Sequence, residues 1–216
     1  MSDPHGAPTR PYRLPRPASS GPRARKAIAG WLSLTAKDPD IPLRDWKERR
    51  PAMLPTGRRF DAVKMHPNLV HAALGSTAAD GVRAGLAAAL DGPVICHPGV
   101  WYYALVPPQT TESWKSPHAA VLGRGAWLGV PRTEGVSRRV ADPYWATPLE
   151  SPDRLCVPDA VAVILHAGAV RLEDPARPHA HAWRSLLDHL TTCPSCTSGD
   201  LCDEGAVLRR AERAAR

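Results

Sequence analysis

The feature that most constrains this fold is a cluster of metal-ligand side chains near the carboxyl end of the chain. In the stretch DHLTTCPSCTSGDLCDEG, His189, Cys193, Cys196 and Cys202 have the spacing His-x3-Cys-x2-Cys-x5-Cys. Two cysteines flanking a two-residue turn can direct both sulfurs at one ion, and zinc takes such sets of thiolates and imidazoles. His189 and Cys193 are four residues apart, so a helix ending there would place them on one face. The spacing therefore predicts a structural zinc site.

Two other interpretations of the cluster stay open at this level. The chain has no second Cys-x2-Cys, so the segment can also be a reduced, metal-free corner between helices. A redox or disulfide role is the third interpretation. Five cysteines are an odd number, and Cys96 and Cys156 lie in apolar contexts. This usage fits a reducing cytoplasm better than a disulfide framework, and we expect a cytoplasmic protein.

Length and composition divide the chain into three expected parts. A chain of 216 residues holds one domain with tails, and 24 prolines predict long loops. We expect a disordered, basic, Pro-rich tail at 1–30, an α+β core at 31–175, and a C-terminal helical segment with the metal corner at 176–216. No apolar run approaches the length of a membrane span, and the first residues lack an apolar signal core. Neither membrane insertion nor secretion is expected.

The pattern of apolar residues predicts a small sheet with flanking helices. A strand at 60–65 precedes helices at 67–75 and 77–91, and the runs PVICH and VWYYALV form a hairpin about His97-Pro98-Gly99. A helix at 111–123 and a strand at 126–130 follow, then loops at 131–157, a helix from Pro158 to Gly168, and two further helices around the cysteines. Trp31 and Trp46 are expected to dock on the core. The fold class is α+β with a mixed or antiparallel sheet, compatible with an RRM-like core.

The search for catalytic chemistry finds no complete set of residues. A nucleophile elbow, a phosphate-binding loop and a dinucleotide fingerprint are all missing. Two-metal phosphoryl transfer needs closely set carboxylates, but the only Asp-x-Asp, at Asp38 and Asp40, follows no strand. Asp61 is the one acid in the predicted strands. Cys96 and His97 are neighbours in a strand, so they face opposite sides and cannot act as a pair. We therefore predict no catalytic residue.

Positive charge is concentrated at the start of the chain. The net charge is +7, and residues 1–30 hold six Arg and Lys side chains against one acid. Such a tail can contact nucleic acid phosphates or can simply be solvated. A second basic pair stands beside Phe60 at the start of the first predicted strand. The candidate phosphate-binding residues are Arg23, Arg25, Lys26, Arg58 and Arg59.

Three segments carry a resemblance to a known family: LPTGRRFDAVKMHPNLVHAAL, GPVICHPGVWYYALVPPQT and LGRGAWLGVPR. They resemble short actinobacterial proteins related to the N-terminal domain of bifunctional DNA primase/polymerases, over roughly residues 45–165. The resemblance implies an RRM-like core of the archaeo-eukaryotic primase type. Active members carry a strand-borne Asp-x-Asp/Glu, a Ser-x-His and a further acid. In this chain no Asp-x-Asp/Glu stands on a predicted strand, and the nearest string to the Ser-x-His, Ser116-Pro117-His118, has no acidic partners, so no catalytic residue is carried over.

Three functions follow as hypotheses. The first is a non-catalytic, DNA-associated protein on a degenerate primase/polymerase-like core, with structural zinc in its C-terminal segment. The alternative is a protein-interaction or regulatory module that uses the C-terminal segment and has no nucleic-acid role. The third is an active DNA primase or polymerase.

Overall fold

The computed structural model describes residues 21–133, 142–173, 178–198 and 201–215. The helices of this part of the chain are α1 (Pro22–Ser33), α2 (Asp40–Lys47), α3 (Pro67–Leu74), α4 (Ala79–Leu90), α5 (Thr110–Ser113), α6 (Pro158–Glu173), α7 (Pro178–Thr192), α8 (Pro194–Thr197) and α9 (Asp203–Ala214). The strands are β1 (Ala52–Pro55), β2 (Asp61–Met65), β3 (Val94–His97), β4 (Trp101–Val106), β5 (Ala120–Leu122), β6 (Trp127–Val130) and β7 (Tyr144–Thr147).

A five-stranded antiparallel sheet forms the centre of the fold. Its strand order is β5-β2-β4-β3-β7. Strands β2 and β3 both run antiparallel to β4, which lies between them, so β2 and β3 are parallel to each other. Helices α3 and α4 connect these two strands, and together they form a split βαβ unit. The order β5-β2-β4-β3 is that of an RRM-like sheet, and β7 is an additional edge strand. The expected α+β class with an antiparallel sheet is confirmed.

One face of the sheet packs against helices α3, α4 and α6. Side chains alternate between the two faces of a strand, so the strands contribute every second residue to this core. The sheet residues of this first core include Val63, Met65, Val94, Cys96 and Ala104. The helix residues include Val70, Leu86, Leu90, Val161 and Leu165.

The opposite face is covered by α1, α2 and a two-stranded ribbon formed by β1 and β6. Ribbon residues Leu54 and Leu128 point inward, as do Ala62, Ile95 and Leu105 from the sheet. Trp31 and Trp46 are both buried in this second core, as predicted. Trp46 donates from its indole Nε1 to the carbonyl oxygen of Val130 at 3.1 Å. The central sheet is therefore covered on both faces.

Helices α3 and α6 cross closely because Gly168 has no side chain. A Cβ at this position would overlap the backbone carbonyl of Leu69 in α3. Helix α6 continues past Gly168 to Glu173, so the prediction that Gly168 ends this helix was wrong. The glycine provides close approach between two helices, a role that its position in the sequence does not reveal.

The predicted helix at 111–123 was also wrong. Helix α5 stops at Ser113, and Ala120–Leu122 pairs with β2 as an edge strand. Pro117 explains part of this difference, because it has no N–H to donate and disfavours helical backbone at the preceding residue. Strand β7 lies inside the segment 131–157, which we expected to be rich in loops and for which we predicted no strand.

The expected boundary of the tail also differs from the structure. Helix α1 begins at Pro22, and Ile28 is 1% exposed in the second core. Residues 22–30 therefore belong to the folded unit, whereas residues 1–20 of the predicted tail lie outside the described residues.

The last three helices contact one another. Helix α7 packs against α8 and α9, and Leu186 of α7 is 4% exposed. Throughout the described ranges, no helix combines the length and the apolar character needed to cross a bilayer.

Candidate metal centre

The four predicted metal ligands come from the ends of three consecutive helices. His189 lies in the last turn of α7, and Cys193 directly precedes α8. Cys196 lies within α8, and Cys202 is the N-cap residue of α9. Pro194 favours the start of α8, since its missing N–H is not needed in the first turn. The chain therefore turns twice around one point, and the side chains converge there.

The ligand atoms of these residues lie within 4.8 Å of one another. Cys202 Sγ lies 3.9 Å from Cys193 Sγ and 3.7 Å from Cys196 Sγ. A tetrahedral ion with metal–sulfur bonds of about 2.3 Å places two sulfurs about 3.8 Å apart. His189 Nε2 lies 3.0 Å from Cys202 Sγ, inside the corresponding nitrogen–sulfur edge of about 3.5 Å. The group can hold a metal ion after a small outward movement of the imidazole.

Residues just outside the four ligands shape the site. The other imidazole nitrogen, His189 Nδ1, lies 3.7 Å from Glu204 Oε2. A carboxylate in that position can orient a ligating imidazole. The backbone N–H of Gly205 points at Cys202 Sγ at 3.4 Å. A Cβ at Gly205 would lie 3.1 Å from Cys196 Sγ, so the glycine lets α9 approach the sulfurs.

Backbone groups favour a thiolate at Cys193. The N–H of Cys196 contributes most to lowering the pKa of the Cys193 thiol, and burial opposes that effect. At Cys196, a backbone hydrogen bond from Cys202 acts to lower the thiol pKa. Burial and the neighbouring sulfurs together outweigh it, so the pKa of Cys196 is raised. Without a cation the three sulfurs cannot all carry charge at low cost, and a bound metal would remove this repulsion.

The set contains four ligands, which is the full complement of a structural tetrahedral site. A catalytic site of this type keeps one position open for water or substrate. A metal ion held by this set would therefore join helix ends. All five cysteines are free thiols, and the two sulfur–sulfur distances above are far longer than a disulfide bond of about 2.05 Å.

The predicted phosphate-binding residues lie in two places. In α1, Arg23 and Lys26 are exposed and Arg25 is half-buried. Arg58 is exposed and donates to the carbonyl oxygen of Thr35 at 3.2 Å. The Arg59 guanidinium lies 5.8 Å from the centre of the Trp31 ring. Arg58 therefore holds the turn before β2 against the segment that follows α1. Arg59 holds the same turn against α1 itself.

Asp61, the one acid in the described strands, is completely buried. Its Oδ2 accepts a hydrogen bond from the Thr111 N–H at 3.3 Å. Its Oδ1 has no hydrogen-bond partner within the described ranges. Burial raises the pKa of this carboxyl group, and nearby backbone N–H groups, with Thr111 first, oppose the rise.

The structure confirms that Cys96 and His97 do not form a pair. Cys96 lies in the first core. His97 Nε2 lies 3.0 Å from the Gly129 carbonyl oxygen in the ribbon, on the other side of the sheet. The burial that raises the pKa of Cys96 disfavours its thiolate.

Sequence reasoning did not identify Glu204 and Gly205 as residues that shape the candidate metal centre. Glu204 and Gly205 follow Cys202 by two and three residues. They can therefore be identified from the sequence once Cys202 is recognised as the N-cap residue of a helix.

Comparisons with protein-family models, with curated proteins and with solved structures give no match for this chain.

Proposed function

We propose that a structural zinc ion joins α7, α8 and α9 through His189, Cys193, Cys196 and Cys202. The observation that carries this proposal is the convergence of one imidazole and three thiols within 4.8 Å. Soft sulfur ligands with tetrahedral spacing favour zinc over the harder ions that prefer oxygen. Zinc binding would supply folding free energy to a three-helix segment in which Leu186 is the one buried apolar side chain among the described residues.

Metal analysis of the purified full-length chain tests the zinc assignment. We expect one zinc per chain, and we expect chelation to lower the melting temperature because metal binding stabilises only the folded state. Cys196→Ser should lose the metal. Protein that binds no zinc and melts at the same temperature with and without added zinc would contradict the proposal.

A matched pair of glycine variants tests the geometry without removing a ligand. In Gly205→Ala, the new methyl group lies 3.1 Å from Cys196 Sγ and 3.0 Å from Leu201 Cδ1, so we expect weaker zinc binding. In Gly30→Ala, nothing lies within 4 Å of the new methyl group in α1, so zinc affinity should not change. Competition with a chromogenic chelator measures both affinities.

We propose further that the chain is a non-catalytic, DNA-associated protein on a degenerate primase/polymerase-like core. The net charge of +7 and the exposed Arg23 and Lys26 support contact with phosphates. The RRM-like strand order agrees with the core that the sequence resemblance implies. The proposal assigns no catalysis because Asp61 is the one acid in the described strands. An active polymerase would instead require nucleotide incorporation that Asp61→Ala abolishes.

Fluorescence anisotropy with single- and double-stranded DNA across a salt series tests the DNA role. We expect affinity to fall steeply with salt, with a slope of about −0.7 to −0.9 per phosphate contact. A chain without residues 1–20 leaves α1 whole, and the double variant Arg23→Ala/Lys26→Ala tests that helix separately. No binding by the full chain at low salt would overturn the role.

A protein partner is the second candidate, and exposed apolar side chains in the C-terminal segment favour it. Leu187 and Leu201 are each 42% exposed and Val207 is 52% exposed. A partner that binds the intact chain, and loses affinity for both Cys196→Ser and Val207→Ser, would support this function. Equal affinity for all three proteins would contradict it.

A further inference from the structure

Two turns at one end of the ribbon are joined into a single corner. Thr56 links them, because its N–H donates to the Ala126 carbonyl at 3.0 Å and its Oγ1 donates to the Gly123 carbonyl at 2.5 Å. Gly57 has a φ of +89° and lies directly against Arg124, where a Cβ would be 2.5 Å from the Arg124 Cα. Arg58 and Arg124 therefore project from adjoining, fixed pieces of backbone.

This corner carries positive charge that no ion pair neutralises. Arg58 and Arg124 are exposed. Across the described residues, none of the ion pairs involves Arg58, Arg59 or Arg124. Asp61 follows Arg59 by two residues, but it is completely buried and makes no ion pair within the described ranges. Arg58 gives one N–H donor to the Thr35 carbonyl, so its remaining donors and the exposed Arg124 guanidinium are available to an anionic ligand.

An exposed aromatic ring lies beside these charges. Trp127 follows Arg124 by three residues and is 58% exposed on the outer face of the ribbon. Met53, which is 56% exposed, is diagonal to it on the same face, because Met53 pairs with Gly129 and Pro55 pairs with Trp127. Basic and aromatic side chains on one surface are the combination that binds single-stranded nucleic acid.

We propose that Arg58, Arg124 and Trp127 form a binding site for single-stranded nucleic acid. This inference rests on the proposed nucleic-acid role. It adds the surface that binds the nucleic acid and the single-stranded form of the ligand. The guanidinium groups would contact phosphates, and the indole would stack on a base. Bases of a single strand expose their faces for stacking, whereas those of a duplex do not. The ribbon takes this role because the central sheet, where an RRM stacks bases, is covered by the second core.

Variants of the full-length chain test the site through anisotropy of a labelled oligothymidylate of about 12 nucleotides. We expect Trp127→Ala to weaken binding at least about 5-fold, from the loss of stacking, and Trp127→Phe to restore most of it. Arg124→Ala and Arg58→Ala should each reduce the salt slope by about 0.7. All of these side chains are exposed, and unchanged melting temperatures would show that the variants fold.

Two surface variants serve as matched controls. Arg83→Ala removes an exposed arginine from α4, and Val163→Ala truncates an apolar side chain that is 66% exposed on α6. Neither should change the affinity. A matching oligoribonucleotide separates RNA from DNA as the preferred strand, and a duplex of the same length should bind more weakly.

The outcomes separate this inference from the function on which it rests. If the full chain binds single strands but Trp127→Ala and Arg124→Ala bind as tightly as the wild type, the site is wrong and the nucleic-acid role stands. Tighter binding to duplex, unaffected by Trp127→Ala, also overturns the site. If the full chain binds no nucleic acid at low salt, both the site and the role fail.

Discussion

Single residues decide how closely the parts of this protein approach one another. Gly205 brings α9 against the Cys196 sulfur, and Gly57 brings one turn against Arg124. Asp61 differs from these glycines, because it adds a carboxyl group at a position that water cannot reach. Burial without a full set of partners disfavours the charged form of such a group, so Asp61 should influence stability through its titration.

Asp61→Asn should remove one component of the pH dependence of stability. Because burial raises the pKa of Asp61 in the folded state, the folded protein holds this proton more tightly than the unfolded chain. The contribution of Asp61 is therefore greatest below the unfolded pKa of about 3.9 and is lost as the pH rises through the folded value. Urea unfolding of both proteins at several pH values measures the difference.

The expected result is a wild-type free energy of unfolding that falls relative to Asp61→Asn as the pH rises through this window. The other carboxyl groups titrate in both proteins and cancel in the comparison. A difference that stays constant with pH, or that changes in the opposite direction, would contradict the raised pKa.

Secondary-structure elements in this fold depend on contacts with their neighbours. Strand β4 is apolar along almost its whole length because both faces of the central sheet are covered. Helix α6 packs closely on α3 through Gly168. The stability of the first core therefore depends on the distance between these two helices.

Gly168→Ala should destabilise the protein although alanine is the better helix former. The added methyl group would overlap the Leu69 carbonyl, so α3 and α6 must move apart, at a cost of about 1–3 kcal/mol. Gly30→Ala, whose methyl group meets nothing within 4 Å in α1, should stabilise by roughly 0.5–1 kcal/mol. Thermal and urea unfolding compare the two, and stabilisation by both substitutions would show that the crossing is not tight.

At the scale of the whole molecule, the five cysteines fall into two groups. Cys156 and Cys96 are buried beside the sheet, at 0% and 4% exposure. Burial raises the pKa of Cys156 to about 12 and also raises that of Cys96. Cys193, Cys196 and Cys202 lie at partly exposed helix ends. Thiol chemistry should therefore distinguish the core from the metal centre.

Metal removal should change the number of reactive thiols in the native protein. With zinc bound, we expect slow reaction with a disulfide reagent, since metal-bound sulfurs are protected. After chelation the three C-terminal cysteines should react quickly, while Cys96 and Cys156 react only on unfolding. Absorbance of the released thiolate counts the groups. Fast reaction of the C-terminal thiols at saturating zinc would contradict the site.

The sequence alone determined the features that depend on short spacing. The ligand set His189, Cys193, Cys196 and Cys202 could be read directly, because helix ends and a two-residue turn bring close neighbours together. The strands β2, β3 and β4 were also predictable, because buried strands require apolar runs and the His97-Pro98-Gly99 turn joins two of them.

Tertiary structure decided the features that depend on distant partners. Strand β1 forms because it pairs with β6, and β5 forms because it pairs with β2. The close crossing at Gly168 and the exposure of Trp127 on the ribbon likewise depend on residues far away in the chain. Local spacing contains no record of such contacts, because packing and strand pairing select them only when the whole chain has folded.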